Sequence, residues 1–523
     1  MGAINSSTRY GIGIDTGGTY TDAVLIELGT RRVLNTGKRP TTHYDLRTGI
    51  SRVLADVTAG IETSAIRRIA FSTTLATNAI VEGKGAAVGL IVIGPVKPFD
   101  LPVVSVRFVE GGHDHRGEEI RPVHIESLVD AIRDWKGQMD AYAVASAMSF
   151  ENPAHELVAE KAIELIDPKP IFCSHRISRR SGIQERSATA VLHARLMPVV
   201  ERFIGGLNQI AAKERISAEM VMIGGDAKAI DLEEAVIRAA NTVGSGPAAT
   251  AWFGAVSTAA RRALAVDVGG TTTDIALIEN GRPLISNDGS RIGKWRTHID
   301  AVAVDTAGIG GDSLVRIDRS GTIRVGPGRV QPLATADAAA NPARWLGTEN
   351  RCKCLMAEEA TAEPEAAGND LLRYLRAHGP ASPAELMETL RVSDVTLERR
   401  AAELVFRKSV TEFGFTPTDA LHVLERVSIG DAARSAAGAQ VLASIRGQSA
   451  AEFCEDVLHE TRAIIRTAIL GAAFRKQTGK GLANITRRDV ADPWVSVSFA
   501  LNIPIIGIGA AARELLPEVA EFL

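Results

Sequence analysis

The sequence predicts an α/β protein of two duplicated lobes carrying a helical insert, and three observations predict it. An eight-residue phrase is written twice: residues 15–22 read DTGGTYTD and residues 267–274 read DVGGTTTD, identical at six of eight positions. Both copies follow short apolar runs, Tyr10–Ile14 and Ala263–Val266, and continue into β-prone residues, Ala23–Glu27 and Ile275–Glu279. Each copy therefore reads as strand, Gly-Gly turn, strand. After the second copy come three short amphipathic helical patterns: Leu371–Leu375, Pro383–Leu390 and Val395–Phe406. Ser382 before Pro383 is a good cap and first-turn pair. The expected division is a first lobe over 1–190, a second lobe over 191–350 and 427–523, and an insert over 351–426.

The composition narrows the function classes. With 59 Lys+Arg against 62 Asp+Glu the net charge is −3, which provides no electrostatic footprint for nucleic acid. Five Trp, five Tyr and fourteen Phe are too few for a stacking platform. Two uncharged stretches, Ala239–Ala260 and Pro493–Ala512, are broken by Pro, Asn and Gly, so neither reads as a span of about 20 apolar residues and no membrane partner is expected. Residues 1–6 lead into a strand without a basic region and apolar core, and Cys173, Cys352, Cys354 and Cys454 form no disulfide framework. A cytoplasmic location is the expectation.

The tip of each hairpin has a specific chemistry. Gly17, Gly18, Gly269 and Gly270 allow backbone N–H groups to approach an anion without a Cβ in the way. Thr19, Thr21, Thr271 and Thr272 add hydroxyl donors. Asp15 and Asp267, each closing a first strand, suit Mg²⁺ held directly or through water. No G-x-x-x-x-G-K-[ST] occurs, and G-x-G-x-x-G is absent from both sites. One such hairpin is as well read as a plain turn. Two copies, each with Asp before and Thr-Asp after, are better read as paired phosphate hairpins holding one nucleotide.

With these motifs the chain resembles the hydantoinase A/oxoprolinase family, in a compact form, within the actin-like ATPase superfamily. Phe71-Ser-Thr-Thr-Leu-Ala-Thr-Asn-Ala79, Gly111-Gly-His-Asp114, Glu151-Asn-Pro-Ala-His-Glu156, Gln184-Glu-Arg-Ser-Ala-Thr-Ala-Val-Leu192 and Ser245-Gly-Pro-Ala-Ala249 are similar to family blocks. The resemblance implies a two-lobed actin-like (ribonuclease H-like) fold with duplicated mixed sheets, and ATP and Mg²⁺ as cofactors. Asp305-Thr-Ala-Gly-Ile-Gly-Gly-Asp312, read as strand end, Gly turn and helix start, resembles the superfamily's second connecting motif and nominates Gly310 and Gly311. Ile503–Ala510 before the helical Ala511–Leu516, read as a buried strand opening into a helix, nominates Gly507 and Gly509 as adenosine contacts. The chain lacks the Cys-Tyr-Gly element of long hydantoinase-type chains.

The activity so implied is an ATP- and Mg²⁺-dependent amidohydrolase that opens a cyclic amide or imide of the hydantoin or 5-oxoproline type. Asp15 and Asp267 are the metal and catalytic candidates, Glu185 and Arg186 further catalytic candidates, and His113, Asp114 and His155 candidates for substrate handling. A second subunit and a homo- or hetero-oligomer fit the family. Two alternatives stay open: a chaperone-like or reactivating ATPase working on a protein partner, and a small-molecule kinase. In the insert, Arg391, Arg399, Arg400, Arg407 and Lys408 are offset by Glu385, Glu388, Asp394, Glu398 and Glu403, so it reads as a lid or docking module before a DNA reader.

Overall fold

The computed structural model describes residues 9–17, 20–41, 46–81, 83–99, 101, 105–177, 180–286, 289–292, 295–336, 341–358, 369–407, 409–482 and 499–523. They form two compact units: residues up to Phe253 with Pro283–Ala303, and Gly254–Arg282 with Val304–Leu523.

In the first unit, β1 (Tyr10–Thr16) and β2 (Tyr20–Glu27) make the expected hairpin, with Asp15 opposite Asp22 and Thr16 opposite Thr21. On its outer side β2 pairs antiparallel with β3 (Val33–Pro40), and β1 pairs parallel with β4 (Ile66–Thr73). Alternation decides the faces. Ile12, Ile14, Ala23, Leu25, Ile69 and Phe71 join a core with Ile50, Val53 and Leu54 of helix α1 (Leu46–Thr58) and with Leu207 and Ile210 of the long helix Ile183–Lys213. Gly13, Asp15, Asp22 and Ser72 are set on the other face. A second sheet of the unit is all parallel, in the order 171–173, 141–146, 88–93, 105–109. Val88–Ile93 and Ala141–Ser146 are buried throughout, which is why they read as unbroken runs of small and apolar residues.

The second unit repeats the first arrangement. Arg262–Val268 and Thr273–Glu279 form the second hairpin with Asp267 opposite Asp274. Val304–Ala307 pairs antiparallel on the outer side, and Ile505–Ile508 pairs parallel on the inner side. The α/β fold with duplicated mixed sheets is thus present. Helices Asp370–His378, Pro383–Leu390 and Asp394–Phe406 form where amphipathic patterns predict them, around a small core of Leu371, Leu372, Leu375, Leu386, Leu397 and Leu404. Ser382 caps the middle helix by accepting from the Glu385 amide.

Two local expectations need correction. The residues after Asp312 do not start a helix: Ser313–Ile317 is a strand paired antiparallel with Ile323–Arg329. The Asp312 N–H donates to Gly270 O, so the chain is tied to the hairpin there, and Ser-Leu-Val-Arg-Ile then runs as a strand buried at every residue but Arg316. Ile505–Ile508 forms, and leads to helix Ala512–Glu521, but it is only half-buried because it lies at the end of its sheet. Among the described residues no helix is long and apolar enough to cross a membrane. All four cysteines are free and buried.

Candidate functional site

The two hairpin tips are built by the same bonds. Gly17 N donates to Tyr20 O and Gly269 N donates to Thr272 O, each at 3.0 Å, closing the turns at equivalent places. Gly18 and Thr19 lie outside the described residues. The Thr that precedes the last Asp of each repeat is fully buried: the Thr21 hydroxyl lies 3.1 Å from that of Thr41, and the Thr273 hydroxyl donates to Ile309 O at 2.8 Å. Thr21 therefore braces the turn from inside. Thr271 is exposed and Thr272 half-buried, leaving the second tip's polar groups turned to solvent.

At the first tip Asp15 is exposed and accepts the Ser72 hydroxyl at 2.6 Å. Ser72 stands directly beside it on β4. The next residue, Thr73, is clamped by Ser245, whose hydroxyl accepts from Thr73 N and donates to Thr73 O. Two sequence blocks far apart, Phe71–Ala79 and Ser245–Ala249, thus meet at the Asp15 hairpin. A cavity of about 780 Å³ opens on this sheet face, with Asp15, Asp22, Lys38 and Ser72 among its polar lining and Val24, Ala249 and Trp252 among its apolar lining. That volume and mixture suit a small molecule held by a few polar groups.

At the second tip the packing is closer. A Cβ on Gly310 would fall 2.4 Å from Gly269 O and 2.6 Å from Gly270 O. Only glycine allows this approach. The amides there are already used: Gly310 N donates to the Ser313 hydroxyl and Gly311 N to Gly269 O. Gly310 and Gly311 therefore seat one loop on the other. Gly509, at φ +96°, lies against Asp267: a Cβ there would fall 2.6 Å from Asp267 Oδ1 and 2.4 Å from Val268 O. Gly507 instead packs toward Leu516.

Asp267, Asp274 and Asp312 are gathered at this tip. Asp312 approaches Gly270 and takes an ion pair from Arg329 at 3.3 Å; Asp274 accepts the Thr306 hydroxyl at 2.6 Å. Burial pushes both carboxyls above their ordinary range, opposed at Asp274 by the Thr306 hydrogen bond and at Asp312 by Arg329. Half-buried carboxylates around a glycine-lined tip fit a divalent cation with a polyphosphate, because the cation offsets the desolvation. Neither Asp274 nor Asp312 was singled out from sequence; the available signal was that each closes a motif already recognised.

The other candidates lie elsewhere in the first unit. Arg186, in the first turn of the long helix, is wholly buried and donates to Ser174 O at 2.6 Å and Arg180 O at 3.2 Å; burial lowers its pKa against the pull of Glu156. Glu185 is half-buried next to it. Glu156 is a hub the sequence reading missed: its carboxylate accepts from Ser146 N, the Ser174 hydroxyl and His175 N. The Asp114 carboxylate accepts from Arg116 N and Glu118 N and holds its own loop. His113 and His155 are paired, with ring centroids 4.0 Å apart. Burial, then the neighbouring His155, keeps the His113 pKa low.

Fold and tips together define a class: an α/β protein with duplicated mixed sheets and a glycine-tipped hairpin in each unit, consistent with the actin-like fold. The chain belongs to the hydantoinase/oxoprolinase family: residues 11–166 match the hydantoinase/oxoprolinase N-terminal region, and residues 186–473 match the hydantoinase/oxoprolinase domain. It is 28% identical over 366 residues to caprolactamase subunit alpha of Pseudomonas jessenii, covering 62% of this chain and 51% of that protein. To the acetophenone carboxylase gamma subunit of Aromatoleum aromaticum it is 29% identical over 372 residues, covering 62% and 49%. The chain thus spans about half the length of these curated relatives. The crystal structure of ATP-dependent caprolactamase from Pseudomonas jessenii shares the fold, with a TM-score of 0.63 at 20% identity over 98% of this chain and 67% of that one.

Proposed function

We propose that the chain is the nucleotide-binding component of an ATP- and Mg²⁺-dependent enzyme that opens a cyclic amide. The observation that carries this reading is the repeated tip: two turns with the same closing bond, each beside an aspartate at the end of a first strand. Family membership and the ATP-dependent relative support it. A lactam carbonyl is a poor electrophile because the amide is resonance-stabilised. ATP, as co-substrate, would place its γ-phosphoryl on the carbonyl oxygen and leave as ADP; water then attacks the carbon, the ring C–N bond opens with the nitrogen taking a proton, and a second water releases phosphate from the acyl phosphate so formed. Mg²⁺, when bound, supplies neutralisation of phosphate charge. At the second tip Asp267 would hold it, with Asp274 and Asp312 completing the acidic surround, and Asp15 is the corresponding candidate ligand at the first tip. The hairpin amides and Thr271 would orient phosphate oxygens. The cavity beside Asp15 and Ser72 has room for the amide. Because two relatives are named as subunits, a partner chain is part of the proposal.

The test uses the purified chain, alone and with any protein that co-purifies, in ATP and Mg²⁺ with a panel of hydantoins, 5-oxoproline, caprolactam, and ketones with bicarbonate. Phosphate release stimulated by one cyclic amide, with ring opening, is the expected result. Stimulation only by ketone and bicarbonate would move the reading to a carboxylase. Slow hydrolysis indifferent to the panel would replace it with an ATPase that works on a protein.

A further inference from the structure

We propose that His113, Glu119 and His155 form a binding site for a divalent transition-metal ion of the zinc type. The three come from well-held positions. His113 ends the strand Gly112–His113, Glu119 opens its antiparallel partner Glu119–Arg121 directly opposite, and His155 is in the first turn of helix Ala154–Ile166. The connecting loop is tied down by Asp114 through the Arg116 and Glu118 amides. One nitrogen from each ring and one Glu119 oxygen all lie within 4.8 Å of one another. A tetrahedral ion with bonds of about 2.0 Å spaces its ligand atoms about 3.3 Å apart, so side-chain adjustments suffice to close the set.

Burial carries the argument further. His113 is 4% exposed and His155 3%, and Nδ1 of each ring is buried without a hydrogen-bond partner. Two imidazoles packed 4.0 Å apart with unsatisfied nitrogens are a poor way to fill a core, and a good way to present neutral ligands. Glu119, half-exposed and 2.8 Å from His155 Nε2, provides the third ligand and the side open to a water. Two imidazoles and one carboxylate select zinc-type ions over Mg²⁺ or Ca²⁺, which prefer all-oxygen sets. The ion would clip the 112–121 ribbon to helix Ala154–Ile166. It is distinct from the metal proposed at the hairpin tips, and its test does not depend on that reading.

The experiment treats the full chain with chelator and titrates it with Zn²⁺ against a chromophoric competitor, then with Co²⁺ to record the ligand-field spectrum. One Zn²⁺ per chain with micromolar or tighter affinity, undisturbed by excess Mg²⁺, is expected. His113→Ala should abolish this binding. Glu119→Gln, at an exposed position outside the core, should leave the circular-dichroism spectrum unchanged and weaken Zn²⁺ at least about tenfold, the least that loss of a supporting group costs such sites. Absence of stoichiometric binding, or wild-type affinity and Co²⁺ spectrum in Glu119→Gln, overturns the proposal. Should His113→Ala fail to fold, Glu119→Gln decides it.

Discussion

The two hairpins share a sequence, a register and a closing bond, yet they differ at the cross-strand position beyond the tip. In the first, Asp22 faces Lys38 across the strands and forms an exposed ion pair at 3.1 Å. In the second, Asp274 faces Thr306 and accepts its hydroxyl at a half-buried site. The first tip leaves Asp15 exposed beside a cavity, while the second presses Gly310 and Gly509 against the backbone and Asp267. A duplicated motif can thus keep its turn chemistry and diverge through what packs on it. The open copy retains room for a small molecule; the closed copy gathers carboxylates where a cation gains most, because charge interactions strengthen as water is excluded.

That contrast can be broken most directly at the two leading aspartates. Asp267→Asn and Asp15→Asn should each lower ATP turnover by at least about 100-fold, the scale of losing a preorganised charge contact, with Asp267→Asn the more severe. Steady-state phosphate release measures both. Wild-type turnover in either variant removes that hairpin from the nucleotide site, and equal losses would mean that burial is not what distinguishes them.

A smaller effect separates the glycines. Gly310→Ala puts a Cβ into two carbonyl oxygens and should cost about 1–3 kcal/mol in urea unfolding, as overpacking does. Among the described residues Gly17→Ala meets only Tyr20 O at 3.1 Å and should cost under about 1 kcal/mol. A reversed order would show that the second tip is looser than its packing indicates.

The smallest effect is the pH dependence of the two trailing aspartates. The Asp274 pKa is raised on folding by burial, so its contribution is most favourable below the unfolded carboxylate value of about 3.9 and is lost as pH rises through the folded value. Asp274→Asn should therefore raise the melting temperature at pH 7 and leave it nearly unchanged at pH 3. Asp22→Asn removes an exposed ion pair and should lower stability by under about 1 kcal/mol at pH 7, less in high salt. Identical pH profiles for the two variants would erase the distinction between the hairpins.

Much of this was legible in the primary structure, for a physical reason. Gly-Gly turns between β-prone runs are local, and Asp15, Gly17, Asp267 and Gly269 form strand ends and turns as their neighbours dictate. The Ser382 cap and the helices around it are local as well. What could not be read locally depends on distant partners. The chain after Asp312 looks able to start a helix, but its backbone is bonded to Gly270 and its side chains find a partner strand. Gly310 and Gly311 are nominated by the connecting motif, and the structure shows their amides bonded to the Ser313 hydroxyl and Gly269 O. That Arg186, a catalytic candidate, lies wholly buried with its guanidinium on backbone carbonyls is set by Arg180 and Ser174. His113 and His155 give no sign in sequence of facing each other.

By itself the sequence determined the family, the duplicated hairpins and the aspartates that lead them, because turn geometry and strand alternation are written within a few residues of each other. Only the tertiary structure decided which carboxylates share a tip, which glycines serve close approach, and that two histidines and a glutamate converge. Those outcomes rest on contacts between residues dozens of positions apart, where burial and hydrogen-bond satisfaction, not local preference, select the arrangement.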